Sequence, residues 1–282
     1  MSRQGPNTRA AELLDRLAKD RAGFAAPDVA VVVAHPDDET IGIGGQLARL
    51  RGALLVQVTD GAPRDLMDAR REGFATREEY AEARRREMVA VGALAGIPPE
   101  RVIALGIVDQ EAGLNLAPIA CRLAELFREH SIAVAITQPY EGGHPDHDAT
   151  AFGVHAAARL LAAHEGTAPA IVEMASYHLT PDGRGFGVFV PDPDRPEVAL
   201  ELDEAQQALV RRMVEAHHTQ RSLLGNYHAT VERVRLAPAY DFAQLPNGGL
   251  LNYERHPWGM SGARWLQETA AATRALDLAA WR

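Results

Sequence analysis

The chain has 282 residues, 46% hydrophobic and 24% charged, the proportions of a globular protein able to bury a sizeable core. Its net charge of −9 opposes general binding to phosphate backbones, which needs a basic face, so no nucleic-acid partner is expected. The one cysteine, Cys121, excludes an internal disulfide and a Cys-rich zinc module, and its apolar helical stretch predicts a small buried hydrophobe.

Residues 8–20 carry Ala11, Leu13, Leu14, Leu17 and Ala18 at helical spacing and predict an amphipathic helix. Val29-Ala30-Val31-Val32-Val33-Ala34 has no polar alternation, which fits a strand buried on both faces of a parallel sheet. Further strands are expected at 53–59, 101–105, 132–137 and 170–177, separated by helical patterns at 40–51, 79–95, 117–130 and 148–163. This alternation predicts an α/β fold: a Rossmann-like, doubly wound, mostly parallel sheet flanked by helices, with a C-terminal extension, the 282 residues forming one domain. Arg84-Arg85-Arg86 reads as a solvated face of a mixed-charge helix. The turn-rich stretch 179–197 reads as a surface excursion or lid. Asp203 and Gln206 form a capping-box pattern for a helix running to about residue 224. Beyond it lie an Asn247-Gly248-Gly249 turn, a Trp258-Gly259 loop and a short final helix. No run approaches the ~18 apolar residues of a membrane span, and the N-terminus lacks an apolar signal core, so a cytoplasmic protein without membrane association is expected.

Two clusters carry chemistry. His35-Pro36-Asp37-Asp38-Glu39 and His144-Pro145-Asp146-His147 each follow a predicted strand, and ligands of doubly wound sheets bind beyond the carboxyl ends of strands. Imidazoles and carboxylates crowded there call for a positive partner. A divalent ion is the simplest, and two His plus one Asp leave zinc an open position for water. Pro36 keeps His35 extended, and Asp38 three residues on reaches the same ion. Asp37 then points toward the open position, where a carboxylate can accept a proton from water. His144 and His147 lie one helical turn apart, so one can ligate while the other faces a reacting carbonyl as oxyanion stabiliser or acid. His178, ending the fifth strand, is a candidate for lining the pocket. His155 and His164 read as surface residues. Of His217 and His218, one is a candidate to orient a ligand, and the Tyr253–His256 segment is a candidate to reach the site. Gly42-Ile43-Gly44-Gly45 comes too late after its strand for a dinucleotide loop and reads as close helix–sheet packing.

With these motifs the chain resembles the PIG-L/LmbE-like zinc-dependent N-deacetylases. The resemblance rests on Ala34-His35-Pro36-Asp37-Asp38-Glu39 with Gly42 and Gly44-Gly45, on Thr59-Asp60-Gly61, and on Gly143-His144-Pro145-Asp146-His147. It extends through Arg84-x-x-Glu87 and His218-Thr219-Gln220. It implies one Zn2+ held by His35, Asp38 and His147, Asp37 as general base, and His144 as stabiliser of the tetrahedral intermediate. It also implies Arg84 and Asp109 as substrate contacts. The chain departs from the pattern at Ala62-Pro63-Arg64, where many relatives carry an acidic residue. The activity implied is removal of an N-acetyl (N-acyl) group from an aminosugar such as N-acetylglucosamine, or from an aminosugar-containing small molecule. Other divalent metals suit the same donors, and a homo-oligomer is compatible with the sequence. A metal-dependent phosphohydrolase using His147-Asp148, and a non-catalytic metal-binding regulator, are the competing readings.

Overall fold

The computed structural model describes residues 6–279 and 281. In chain order its elements are α1 (Pro6–Lys19), β1 (Phe24–Ala25), β2 (Val29–Val33), α2 (Asp38–Leu47), β3 (Leu50–Arg51), β4 (Leu54–Thr59), α3 (Met67–Arg71), α4 (Arg77–Leu94) and β5 (Val102–Ile107). There follow α5 (Leu116–Glu129), β6 (Val134–Thr137), α6 (Pro145–Glu165), β7 (Ala170–Met174), β8 (Tyr177–Thr180), β9 (Gly183–Phe186) and β10 (Val198–Glu201). The chain closes with α7 (Glu204–Ala216), α8 (Arg221–Leu224), β11 (Val231–Leu236) and α9 (Gly262–Ala275).

Seven strands form the main sheet in the order β10-β11-β7-β6-β2-β4-β5. The run β7-β6-β2-β4-β5 is parallel; β11 and β10 add antiparallel at one edge. β2 is central because all five of its residues are apolar and buried. The pleat sends Ala30 and Val32 into a core with Ile119, Leu123, Phe152 and Trp265 of α5, α6 and α9. It sends Val29, Val31 and Val33 into a second core with Leu13, Ile43, Leu47 and Met88 of α1, α2 and α4. Strand order reverses at β2, so the crevice between the carboxyl ends of β2 and β6 is the topological switch point where doubly wound sheets bind ligands. Among the described residues, no helix is long and apolar enough to cross a membrane.

Several expectations are corrected. Cys121 is exposed, because α5 turns Ile119, Ala120 and Leu123 inward and leaves the intervening position facing solvent. Arg84 is only 4% exposed, whereas Arg85 and Arg86 are solvated. His155 is half-buried against Tyr240 and Phe242, and burial pushes its pKa down to about 4. The helix expected to reach residue 224 breaks at His217 into a 3-10 turn and α8; its capping box at Asp203 and Gln206 is formed. The 179–197 excursion begins as the β8–β9 hairpin.

A buried carboxylate ties α2 to the edge of the sheet. Glu232 of β11 accepts hydrogen bonds from Gly45 N at 2.7 Å and Gln46 Nε2 at 3.1 Å, and burial pushes its pKa up to about 8. The folded state therefore holds this proton more tightly than the unfolded chain. The stability it contributes is full below the unfolded carboxylate pKa and is lost as pH rises toward 8. Glu232→Gln, which imitates the protonated form, should gain on the wild type by a few kcal/mol in denaturant unfolding between about pH 5 and about pH 8. Parallel stability curves for the two proteins would refute this.

Candidate metal centre

At the end of β2 the backbone is strained. Asp37, just before α2, has φ 142° and ψ −25°, a region L-residues avoid at a cost of about 1–3 kcal/mol. Its N–H donates to Glu39 Oε2 at 3.1 Å, and its Oδ2 accepts from Arg84 Nη2 at 3.1 Å. Arg84 also donates to Pro36 O and Gly61 O, so it fastens the turns after β2 and β4 together. Asp38 turns back on His35: its Oδ2 accepts the His35 N–H at 2.8 Å and lies 3.1 Å from His35 Nδ1.

The second cluster opens α6. His144 occupies the N-cap and Pro145 the first turn, where a missing N–H costs nothing. His144 Nδ1 accepts the Asp146 N–H at 3.1 Å, which leaves the proton of the neutral ring on Nε2. Gly143 is required by space: a Cβ there would lie 2.1 Å from Tyr177 O at the start of β8. Gly143→Ala must therefore displace backbone, and a destabilisation of about 1–3 kcal/mol is expected in denaturant unfolding; wild-type stability would show that the hairpin is not seated on this loop.

The two clusters meet. One ligand atom each from His35, Asp38 and His147 lies within 4.8 Å of the others, and the same holds for His35, Asp109 and His144. His147 presents Nε2 3.3 Å from Asp38 Oδ1, while its Nδ1 lies 3.2 Å from Ser176 Oγ. His35 Nε2 lies 3.3 Å from both Asp109 Oδ1 and Asp146 Oδ2. Asp109 Oδ1 has no aligned hydrogen bond despite being buried.

The electrostatics ask for a cation. Burial opposes a charge on His35, yet Asp109, Asp146 and Asp38 hold its pKa well above the ordinary value. Burial also works against the Asp38 carboxylate, but His147 and His35 outweigh it and hold Asp38 well below its usual range. Burial, then the neighbouring His35 and His147, keep His144 well below its ordinary pKa. Burial pushes Asp37 up to about 6 against the opposing charge of Arg84. Three carboxylates converging on one imidazole, with an orphaned buried oxygen among them, fit a divalent ion, and the nitrogen and oxygen donors suit zinc or its first-row neighbours.

Other residues named from the sequence are dispersed around this centre. Asp109 lines a cleft of about 290 Å3 with Arg64, Glu111, Trp258 and Arg264. Arg84 lies beneath Asp37 rather than in the cleft. His178 is buried in the hairpin with Nδ1 3.2 Å from Glu141 Oε2. Asp148 turns away, its Oδ1 accepting the Gly142 N–H at 3.0 Å. Tyr253 is fully buried; it is Trp258, beyond the Tyr253–His256 segment, whose ring lies 4.3 Å from that of His144 and stacks on His256. Sequence reasoning missed Ser176 and the anchoring role of Asp146, whose carboxylate also accepts the Gln110 and Ala112 N–H groups. Neither carries a local signal beyond its nearness to a His motif or a strand end.

Residues 30–158, which carry both clusters, match the family model described as PIG-L: GlcNAc-PI de-N-acetylase. Over that stretch, a little under half of its length, the chain is similar to the PIG-L/LmbE-like family. No curated protein matches the chain. Among solved structures it is similar to the A40926 pseudoaglycone deacetylase Dbv21, with 17% identity over 74% of this chain and 96% of that one and a TM-score of 0.58. It is similar to the N,N'-diacetylchitobiose deacetylase from Pyrococcus horikoshii, with 20% identity over 78% and 80% of the two chains and a TM-score of 0.51. It is also similar to GalB, the 4-carboxy-2-hydroxymuconate hydratase of Pseudomonas putida KT2440, with 17% identity over 77% and 97% and a TM-score of 0.51. At these identities the likeness shows a shared α/β fold, one that serves deacetylases and a hydratase among these neighbours.

Proposed function

We propose that the protein is a metal-dependent amidohydrolase that removes an N-acetyl (N-acyl) group from an aminosugar or an aminosugar-containing small molecule. The observation that carries this is the convergence of His35, Asp38 and His147 at the switch point, with a strained carboxylate, Asp37, directly beside them. The match of residues 30–158 to the de-N-acetylase family model supports amide hydrolysis, and the small-molecule size of the cleft beside Asp109 supports a sugar-sized substrate.

His35, Asp38 and His147 would hold one zinc ion. When bound, that ion supplies Lewis-acid polarisation of the amide carbonyl and lowers the pKa of water. His35 Nδ1 faces Asp38 and Nε2 faces Asp146, so a ring ligating through Nδ1 donates Nε2–H to Asp146 and is fixed in orientation. Arg84 engages Asp37 Oδ2, so Oδ1 takes the proton from water and later returns it to the leaving amine. His144 stays neutral with its proton on Nε2, which makes it a hydrogen-bond donor to the developing oxyanion rather than a cationic acid. Trp258 packs against the His144 ring and limits its rotation. Asp109, on the wall of the cleft, is available to sugar hydroxyls.

Asp148 is committed to the Gly142 loop, so the His-Asp pair of a phosphohydrolase does not face the cluster. The test is an assay of zinc-loaded protein for acetate and for phosphate release over a panel of N-acetylated and phosphorylated sugars. Acetate release from N-acetylglucosamine or its conjugates is expected; phosphate release without acetate would overturn the proposal.

A further inference from the structure

We infer that His217 and Glu87 are positioning residues that hold Asp37 in its strained conformation, through a circuit of buried contacts joining α2, α4 and the turn after α7. The circuit runs through named atoms. Asp37 N–H donates to Glu39 Oε2. The other oxygen of Glu39 lies 3.1 Å from His217 Nε2 and accepts the Thr40 hydroxyl at 2.9 Å. Two residues on, Thr219 donates both its N–H and its hydroxyl to Glu87, at 2.9 and 2.6 Å. Glu87 lies one helical turn from Arg84, whose guanidinium returns to Asp37 Oδ2. The contacts of Asp37 therefore close on themselves through the backbone of α4 and of residues 217–219.

Every member is buried: His217 and Glu39 are 0% exposed, Arg84 and Thr219 4%, and Glu87 8%. The break after α7 follows from this geometry. A helix continuing through residue 217 would not deliver His217 to Glu39 and Thr219 to Glu87 together, and the 3-10 turn at residues 218–220 does. His217 lies outside the family match at 30–158, and its Nδ1 has no partner, so its engagement is with Glu39 and Thr40 alone. A backbone N–H fixed by a carboxylate that is itself fixed from another element can sustain a conformation that α2 alone would relax. Relaxation would swing the Asp37 carboxylate away from the reacting water.

The inference rests on Asp37 being the base, so its test reads position as well as turnover. The variants are His217→Ala, His217→Gln and Thr219→Val. The measurements are kcat and KM for acetate release from N-acetylglucosamine by zinc-loaded protein, zinc content, and hydrogen exchange of the Asp37 amide. His217→Ala should lower kcat by ~10- to 100-fold, the scale of an ångström misplacement, with KM and zinc unchanged and Asp37 exchange accelerated. His217→Gln should recover most of the loss, because its amide nitrogen also donates to Glu39. Thr219→Val, which preserves volume, should cost a few-fold and keeps the test open if His217→Ala does not fold. In an Asp37→Asn background, His217→Ala should add no further loss. Unchanged Asp37 exchange, a loss that tracks zinc content, or additivity with Asp37→Asn would overturn the positioning role. A wild type inactive on amides, with exchange still accelerated in His217→Ala, would uphold the circuit and defeat the hydrolase reading instead.

Discussion

Asp37→Asn should lower turnover by about 10²- to 10⁴-fold, the usual contribution of a general base, while zinc content stays near that of the wild type. The asparagine oxygen can still accept from Arg84 Nη2, so the junction of Arg84 with Pro36 and Gly61 survives. Asparagine also tolerates positive φ better than most residues, so the backbone at φ 142° gains no new strain. The substitution removes proton acceptance and little else. Steady-state acetate release beside metal analysis and a melting curve checks this, and near wild-type turnover would take the base role from Asp37.

His35→Ala should abolish metal retention and activity together. Zinc at about one hundred times its Kd should raise wild-type stability by about 2.7 kcal/mol, a gain that chelation reverses and that the variant should lack. The variant should also be weaker without metal. Asp38 keeps His147, but Asp109 and Asp146 then face each other without the imidazole they share, and an uncompensated buried charge costs about 3–5 kcal/mol. These carboxylates would have folded-state pKa values raised by mutual repulsion. Their penalty is absent below the unfolded carboxylate range and appears as pH rises, so the variant should lose ground to the wild type from acid toward neutral pH. Thermal melts with zinc and with chelator at two pH values give the answer. A variant that still binds one zinc per chain would remove His35 from the ligand set.

Much of the fold is legible in the sequence because the signals are local. Val29–Ala34 lacks alternation since both faces of β2 are covered, and that pattern predicts a central parallel strand. The strand–helix succession then predicts the doubly wound class. His35 and Asp38, or His144 and His147, sit together because three residues of backbone allow little else. What the sequence misjudges are facing directions. Arg84 lies in a triplet that reads as solvated, yet α4 turns it beneath Asp37 and leaves Arg85 and Arg86 outside. Cys121 reads as buried, yet it falls on the outer side of α5.

The sequence by itself determined the chemistry on offer: two imidazole–carboxylate clusters, each at a strand end, and a net charge of −9 that opposes broad polyanion binding. Only the tertiary structure decided that β2 and β6 are neighbours, which joins clusters about a hundred residues apart, and that His217 closes on Glu39 from the far side of the chain. The division is physical. Backbone geometry fixes which side chains meet within one turn, whereas partners far apart in sequence are chosen by strand order and by how buried faces pack. One chain read alone encodes those choices only in the sum of its contacts.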